Sequence, residues 1–260
     1  MTKRELIYKE YLKNPKLSSR EIGKILNLSR DCVCYHLKKL GIQRDREFLR
    51  KCNNTNRSNS IVISPIAEQI ILGSILGDGT ISKYIAKKHN SKLSFTHSIK
   101  QYAYLQYKKH LLEQEGIKCA IYKKTSCKEH SIKGIVVKEN GSFTAQTSSY
   151  KELNRFRDMF YKNVKYINRY VYKLSPLGLA IWYMDDGYYH KGHYLCTNCF
   201  TKKDIVLLQK MLLHNFNLKT TIQKTSIGDF ILYIRAESKN IFRTLISSYV
   251  IKEMTYKLGS

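Results

Sequence analysis

Asp78 and Asp186 each close a short apolar run and are each followed by glycine. The runs are Ile71-Leu72-Gly73-Ser74-Ile75-Leu76-Gly77-Asp78-Gly79 and Leu179-Ala180-Ile181-Trp182-Tyr183-Met184-Asp185-Asp186-Gly187. Ser64-Pro65 opens the first and Ser175-Pro176 the second. Serine is a favoured N-cap, proline a favoured first helical residue and glycine a usual stop, so the pattern predicts two helices of about three turns, each ending on an acid. A carboxylate there faces the negative end of the helix dipole, at a cost of a few tenths to ~1 kcal/mol. Two such ends brought together repel further unless something positive lies between them. Gly73, Ser74 and Gly77 form a small-residue face, and Gly178 and Ala180 offer another. Parallel packing along these faces would make Asp78 and Asp186 neighbours. Hard carboxylates with helix-end carbonyls beside them suit Mg²⁺. Buried core helices with ordinary Asp-Gly turns are the alternative reading.

The paired runs resemble the signature of LAGLIDADG homing endonucleases, in the single-chain branch that carries two copies. Trp182-Tyr183-Met184-Asp185-Asp186-Gly187 is the more specific match, and the first copy keeps Gly73, Asp78 and Gly79. The resemblance covers roughly residues 64–258. It implies that Asp78 and Asp186 are catalytic and bind a divalent metal, Mg²⁺ or another such as Mn²⁺, with the carbonyls of Gly77 and Asp185 as further ligands. It also implies two basic catalytic groups. Lys257, in Met254-Thr255-Tyr256-Lys257-Leu258, matches one of them. Lys165, in Val164-Lys165-Tyr166-Ile167, matches the other, but Asn168 stands where a proline is expected, which leaves Lys162 and Lys173 as alternatives. The implied fold is α+β, two pseudo-symmetric αββαββα repeats forming a DNA-binding saddle. The implied activity is a double-strand break in an asymmetric DNA target, made by a monomer through metal-dependent phosphodiester hydrolysis. Members of the same fold also act as RNA-splicing maturases, and related folds joined to helix-turn-helix modules act as transcription regulators. Intron RNA binding and regulation without cleavage therefore stay open.

The chain has 260 residues, enough for one large domain or two smaller ones with real cores. Its formal charge of +26 self-repels unless a polyanion is bound, which points to nucleic acid as partner. No apolar run reaches the ~18–20 residues of a spanning helix, and Met1-Thr2-Lys3-Arg4-Glu5 is unlike a signal peptide. The expected setting is intracellular, cytoplasmic (nucleoid) or organellar, rather than secreted. Cys32-x-Cys34 and Cys196-x-x-Cys199 lack a second pair or histidine cluster at zinc spacing, so they read as small half-buried residues.

Residues 1–45 read as a small all-α helix-turn-helix module. Helices are expected over 3–14, from Ser19 with Ser18 and Glu21 as capping signal, and over 30–40 behind Ser29. Asn27 suits the left-handed turn between the last two. Arg30, Tyr35, His36 and Lys38 on the third helix are candidate groove contacts. Residues 46–63 are polar and Asn-rich, a tether. The first repeat is expected over 64–174 and the second over 175–260. Each runs helix, strands, helix, strands, helix, with 118–125 and 132–137 expected to pair as a hairpin in the first.

Alternation leaves one face of each sheet polar and basic. Lys83, Lys92, Ser94, Thr96, His97, Lys123 and Lys124 in the first repeat, with Gln223, Lys224 and Arg235 in the second, are the candidate contacts to double-stranded DNA. His97 and Lys224 lie at strand ends that could also reach the metal site.

Overall fold

The computed structural model describes residues 2–15, 17–42, 60–85, 89–124, 129–132, 135–138, 141–226 and 228–259, with side chains left out at 124, 129–132 and 135–138. The chain divides into two compact units, Met1–Asn59 and Ser60–Ser260. The expected tether lies outside the described residues except for 60–63.

The first unit holds α1 (Lys3–Lys13), α2 (Ser19–Leu26) and α3 (Arg30–Lys39) around Ile7, Ile22, Val33 and Leu37. Thr2 with Glu5, and Ser18 with Glu21, form capping boxes. Asn27 ends α2 in the left-handed region at φ 53°. Gly23 has a local reason: a Cβ there would lie 2.6 Å from the Leu28 carbonyl oxygen, so the turn after α2 passes where even alanine would sit.

The second unit repeats one plan. Its first half contains α4 (Pro65–Leu76), β1 (Thr80–Ile81), β2 (Leu93–Ser98), α5 (Tyr102–Gln114), β3 (Cys119–Lys124), β6 (Ser142–Thr147) and α6 (Asn154–Phe160). The second half follows with α7 (Pro176–Asp186), β7 (Gly187–Tyr189), β8 (His193–Cys196), α8 (Lys202–Phe216), β9 (Thr220–Lys224), β10 (Phe230–Ile234) and α9 (Lys239–Ile246), then a 3₁₀ segment, Lys252–Leu258. The sheets run β1-β2-β6-β3 and β7-β8-β10-β9, the same order. Their registers also match, since Thr80 pairs with Ser94 as Tyr188 pairs with Tyr194.

One expected pairing is corrected. Among the described residues, the strand expected over 118–125 (β3) pairs not with 132–137 but with β6, Cys119 opposite Thr147. Between them β4 (Glu129–Ile132) and β5 (Ile135–Lys138) form their own two-stranded ribbon. The second repeat joins β9 to β10 directly. Adjacency in sequence suggested the wrong partner because the ribbon is an insertion in the first repeat.

α4 and α7 lie side by side at the centre of this unit, and both are buried almost all round, as their continuous apolar sequences require. The seam is built from backbone. A Cβ on Gly73 would lie 2.4 Å from the Gly178 carbonyl oxygen, and one on Gly77 would lie 2.4 Å from the Asp185 Cβ. Gln69 clamps the upper end, donating to Lys173 O (2.9 Å) and accepting from Ser175 N–H (2.7 Å). Positions 69, 73 and 77 thus meet 175, 178 and 185 in ascending order, so the helices are parallel. Ser64 caps α4 through Ala67 N–H (3.0 Å), whereas Ser175 takes the N-cap place of α7 without a side-chain bond.

Candidate nuclease site

Parallel packing carries both helix ends to one place, and what neutralises them is a pair of lysines. Lys165 Nζ donates to the carbonyls of Ile75 (2.9 Å), Gly77 (3.2 Å) and Gly79 (3.2 Å) at the end of α4. Lys257 Nζ donates to the carbonyls of Met184 (2.5 Å) and Asp185 (3.0 Å) at the end of α7. A cation at a helix C-terminus offsets the dipole that an acid there opposes, by ~0.3–2 kcal/mol depending on burial. Of the alternatives to Lys165, Lys162 lies over the Tyr166 ring and Lys173 over Tyr170. Lys257 is held in turn by Tyr183, whose hydroxyl donates to Lys257 O (2.6 Å) and meets His193 Nδ1 at 2.8 Å.

The acids interact strongly. Burial, then the Asp78 and Asp185 carboxylates, push Asp186 up to about 7. Burial and then Asp185 raise Asp78, although 39% of its side chain is open to solvent, which limits the desolvation it feels. Burial lowers Lys165 and Lys257, with the surrounding acids pulling the other way. Opposed shifts of this kind, concentrated at one end of a helix seam, make this a candidate functional site.

Asp185 differs from its neighbours. Its side chain points into the core, where Oδ1 accepts from Lys108 Nζ at 2.7 Å and Oδ2 accepts from the Asp78 N–H at 3.2 Å. Lys108 is fully buried and lies over the rings of Phe95 (4.1 Å) and Tyr104 (4.8 Å). Sequence reasoning passed over Lys108. The signal was there, as it stands three residues after Leu105 and four before Leu112, on the apolar stripe of α5.

His97 is corrected as a groove contact. β2 alternates with Leu93, Phe95 and His97 inward and Thr96 outward, so His97 is buried. Its Nδ1 lies 3.4 Å from Asp78 Oδ2 and its Nε2 3.6 Å from Asp185 Oδ1. Burial, then Lys108, hold its pKa down to about 3, so the ring is neutral. Register also moves two lysines off the outer faces. Lys123 pairs with Phe143 and Lys224 with Phe230, on the helix side with Ile121 and Ile222. Both side chains stay exposed, but strand parity aims them away from the outer face.

The outer face of the first sheet carries Lys92, Ser94, Thr96, Thr144 and Gln146, joined by Lys92 to Gln146 (3.3 Å) and Thr96 to Thr144 (2.8 Å). Lys83 is exposed just beyond β1. Lys124 pairs with Ser142, its side chain outside the described residues. The second sheet presents Gln223, with Arg235 exposed beside Glu237 (3.6 Å), and an aromatic row the sequence did not announce. Tyr188 stacks on Tyr194 at 4.9 Å, and Tyr194 meets Tyr233 at 5.0 Å. On α3, Arg30, Tyr35 and Lys38 are exposed and His36 is half-buried.

Asp78, His97 and Asp185 place ligand atoms within 4.8 Å of one another. The Lys108 ammonium already neutralises the Asp185 carboxylate, which leaves Asp78, Asp186 and the carbonyls of Gly77 and Asp185 as the groups that could hold a cation. Raised acids with carbonyl oxygens beside them fit a hard divalent ion. A pH dependence follows. Asp186 is raised from the ordinary carboxylate value near ~4 to about 7, so folding favours its protonated form. That contribution is whole below pH ~4 and is lost as pH rises through ~7. In EDTA, Asp186→Asn should melt higher than wild type at pH 8, with the gap closing at pH 4. Equal melting at both would refute the raised acid.

A family model described as the LAGLIDADG DNA endonuclease family matches residues 68–242. Cytochrome b mRNA maturase bI2 of Saccharomyces cerevisiae is 32% identical over 86% of this chain, and the chain spans 55% of that relative's length. The maturase of the same name from Debaryomyces hansenii is 30% identical over 74% of this chain and 73% of its own. Among solved structures, the homing endonuclease I-WcaI bound to its DNA recognition sequence is 27% identical with a TM-score of 0.66, covering 80% of this chain and 92% of its own. Matched runs, doubled sheet order and family model agree: the chain belongs to the LAGLIDADG DNA endonuclease family.

Proposed function

We propose that this protein is a site-specific homing endonuclease that makes a double-strand break in an asymmetric DNA target by divalent-metal-dependent hydrolysis, with Mg²⁺ as the working ion. The observation that carries the proposal is the meeting of two acid-tipped helices whose ends are each capped by a lysine. Asp78 and Asp186, with the carbonyls of Gly77 and Asp185, would hold the metal. Bound there, it supplies an activated water and stabilises the leaving oxygen. Lys165 and Lys257 hold positive charge against the reacting phosphates, where charge builds in the transition state. The outer sheet faces read the duplex, with Lys92, Ser94, Thr96, Lys83 and Lys124 from one repeat and Gln223, Arg235 and the tyrosine row from the other. The repeats differ, so the half-sites differ. Arg30, Tyr35, His36 and Lys38 extend the contact through the N-terminal module.

The test is incubation with Mg²⁺ and a library of randomised duplexes, followed by sequencing of cut ends. A single asymmetric site is expected, and cutting without preference would refute the proposal. With about 6–10 phosphate contacts, affinity for that site should fall ~10³–10⁵-fold between 50 and 200 mM salt. A flat salt response would exclude a backbone-tracking interface.

A second reading is favoured by the relatives named as mRNA maturases: the protein assists splicing of an intron RNA. Splicing stimulation retained when Asp78 and Asp186 are both replaced would separate it from cleavage.

A further inference from the structure

The two repeats differ at three matching positions around the seam. The registers Ile81–Leu93 and Tyr189–His193 align β2 with β8 and set His97 against Thr197. On the following helices, Lys108 between Leu105 and Leu112 corresponds to Leu208 between Ile205 and Leu212. Ahead of the terminal acids, Gly77 stands in one repeat and Asp185 in the other. The charged or titratable members of all three pairs converge on one side, at Asp78.

Packing does not require them. A buried ion pair is often no more stabilising than well-packed apolar groups of the same volume, and the matching helix position in the second repeat accepts a leucine. What the group does is hold the Asp78 backbone and place a neutral imidazole beside its carboxylate. Lys108 fixes Asp185 Oδ1 (2.7 Å), which aims Oδ2 at the Asp78 N–H (3.2 Å), and His97 Nδ1 lies 3.4 Å from the Asp78 carboxylate. Around Asp186 the matching positions are Gly77, Leu208 and Thr197, and the Thr197 hydroxyl is spent on Phe230 O (2.8 Å).

We propose that Lys108 is a positioning residue that acts through Asp185 on Asp78 more than on Asp186, so that the two strands of a bound duplex are cut under separate control. The inference rests on the endonuclease reading above. Partners that orient a metal-binding group commonly account for 10–100-fold in activity.

The experiment follows each strand of an end-labelled cognate duplex with Mg²⁺, alongside DNA affinity and thermal melting. Lys108→Met should slow one strand at least ~10-fold more than the other, accumulating nicked product with unchanged DNA affinity. Because that variant leaves Asp185 buried and unpaired, a second one, Lys108→Leu/Asp185→Gly, gives Asp78 the glycine and leucine that stand at the matching positions around Asp186. It should fold and still shift the strand ratio. Equal slowing of both strands with a lowered melting temperature, or a wild-type ratio in the double variant, would overturn the proposal. A wild-type protein that binds duplex and cuts neither strand would remove the endonuclease reading, and this inference with it.

Discussion

Asp186→Asn is expected to reduce cleavage of the cognate duplex by ~10³-fold or more while leaving DNA affinity within a few-fold of wild type. The asparagine keeps the shape of the side chain and removes the charge. Losing one preorganised electrostatic group at a reacting centre typically costs ~10²–10³-fold, and here the same group also holds the metal. Binding should persist, because the outer sheet faces are untouched and one fewer acid faces the phosphates. Plasmid linearisation and a gel shift measure the two effects separately. Unchanged cutting by this variant would rule out the metal assignment for the seam.

Gly73→Ala is expected to produce the largest loss of stability. Its new Cβ would lie 2.4 Å from the Gly178 carbonyl oxygen and 2.9 Å from the Ile181 Cβ, both fixed parts of α7. Neither can swing aside, so the helices must separate along a seam buried on both sides. Overpacking of a tight core costs ~1–3 kcal/mol and occasionally more. Urea denaturation should show at least that loss, against the small gain alanine ordinarily brings to an exposed helix position. Catalysis should fall with it, since Asp78 and Asp186 ride on the helices being forced apart. A fully stable Gly73→Ala would mean that the backbones are not in contact.

Much of the frame was legible because it rests on local chemistry. Ser-Pro openings, Asp-Gly endings and small residues at helical spacing located α4 and α7, and their continuous apolar character marked them as buried. Asn27 and the Ser18–Glu21 pair located the turn and cap of α2 for the same reason. Legibility failed where a residue's meaning depends on partners distant in the chain. His97 looks like a surface residue yet is buried, and the sides of the sheet taken by Lys123 and Lys224, both exposed, follow from pairing with β6 and β10. Lys108 sat on an apolar stripe, but only Asp185, brought in from the other repeat, explains a buried ammonium. The ribbon of β4 and β5 hid the partner of β3 because it is itself a hairpin.

The contact between Gly77 and the Asp185 side chain bears on descent. The Asp185 Cβ occupies the space that a Cβ on residue 77 would need, 2.4 Å away. A homodimer of two second-repeat halves would have to lodge an aspartate from each partner where there is room for one. The present arrangement therefore requires two halves that differ at this position. Splitting this protein between its repeats and pairing the second half with itself should not return a working enzyme.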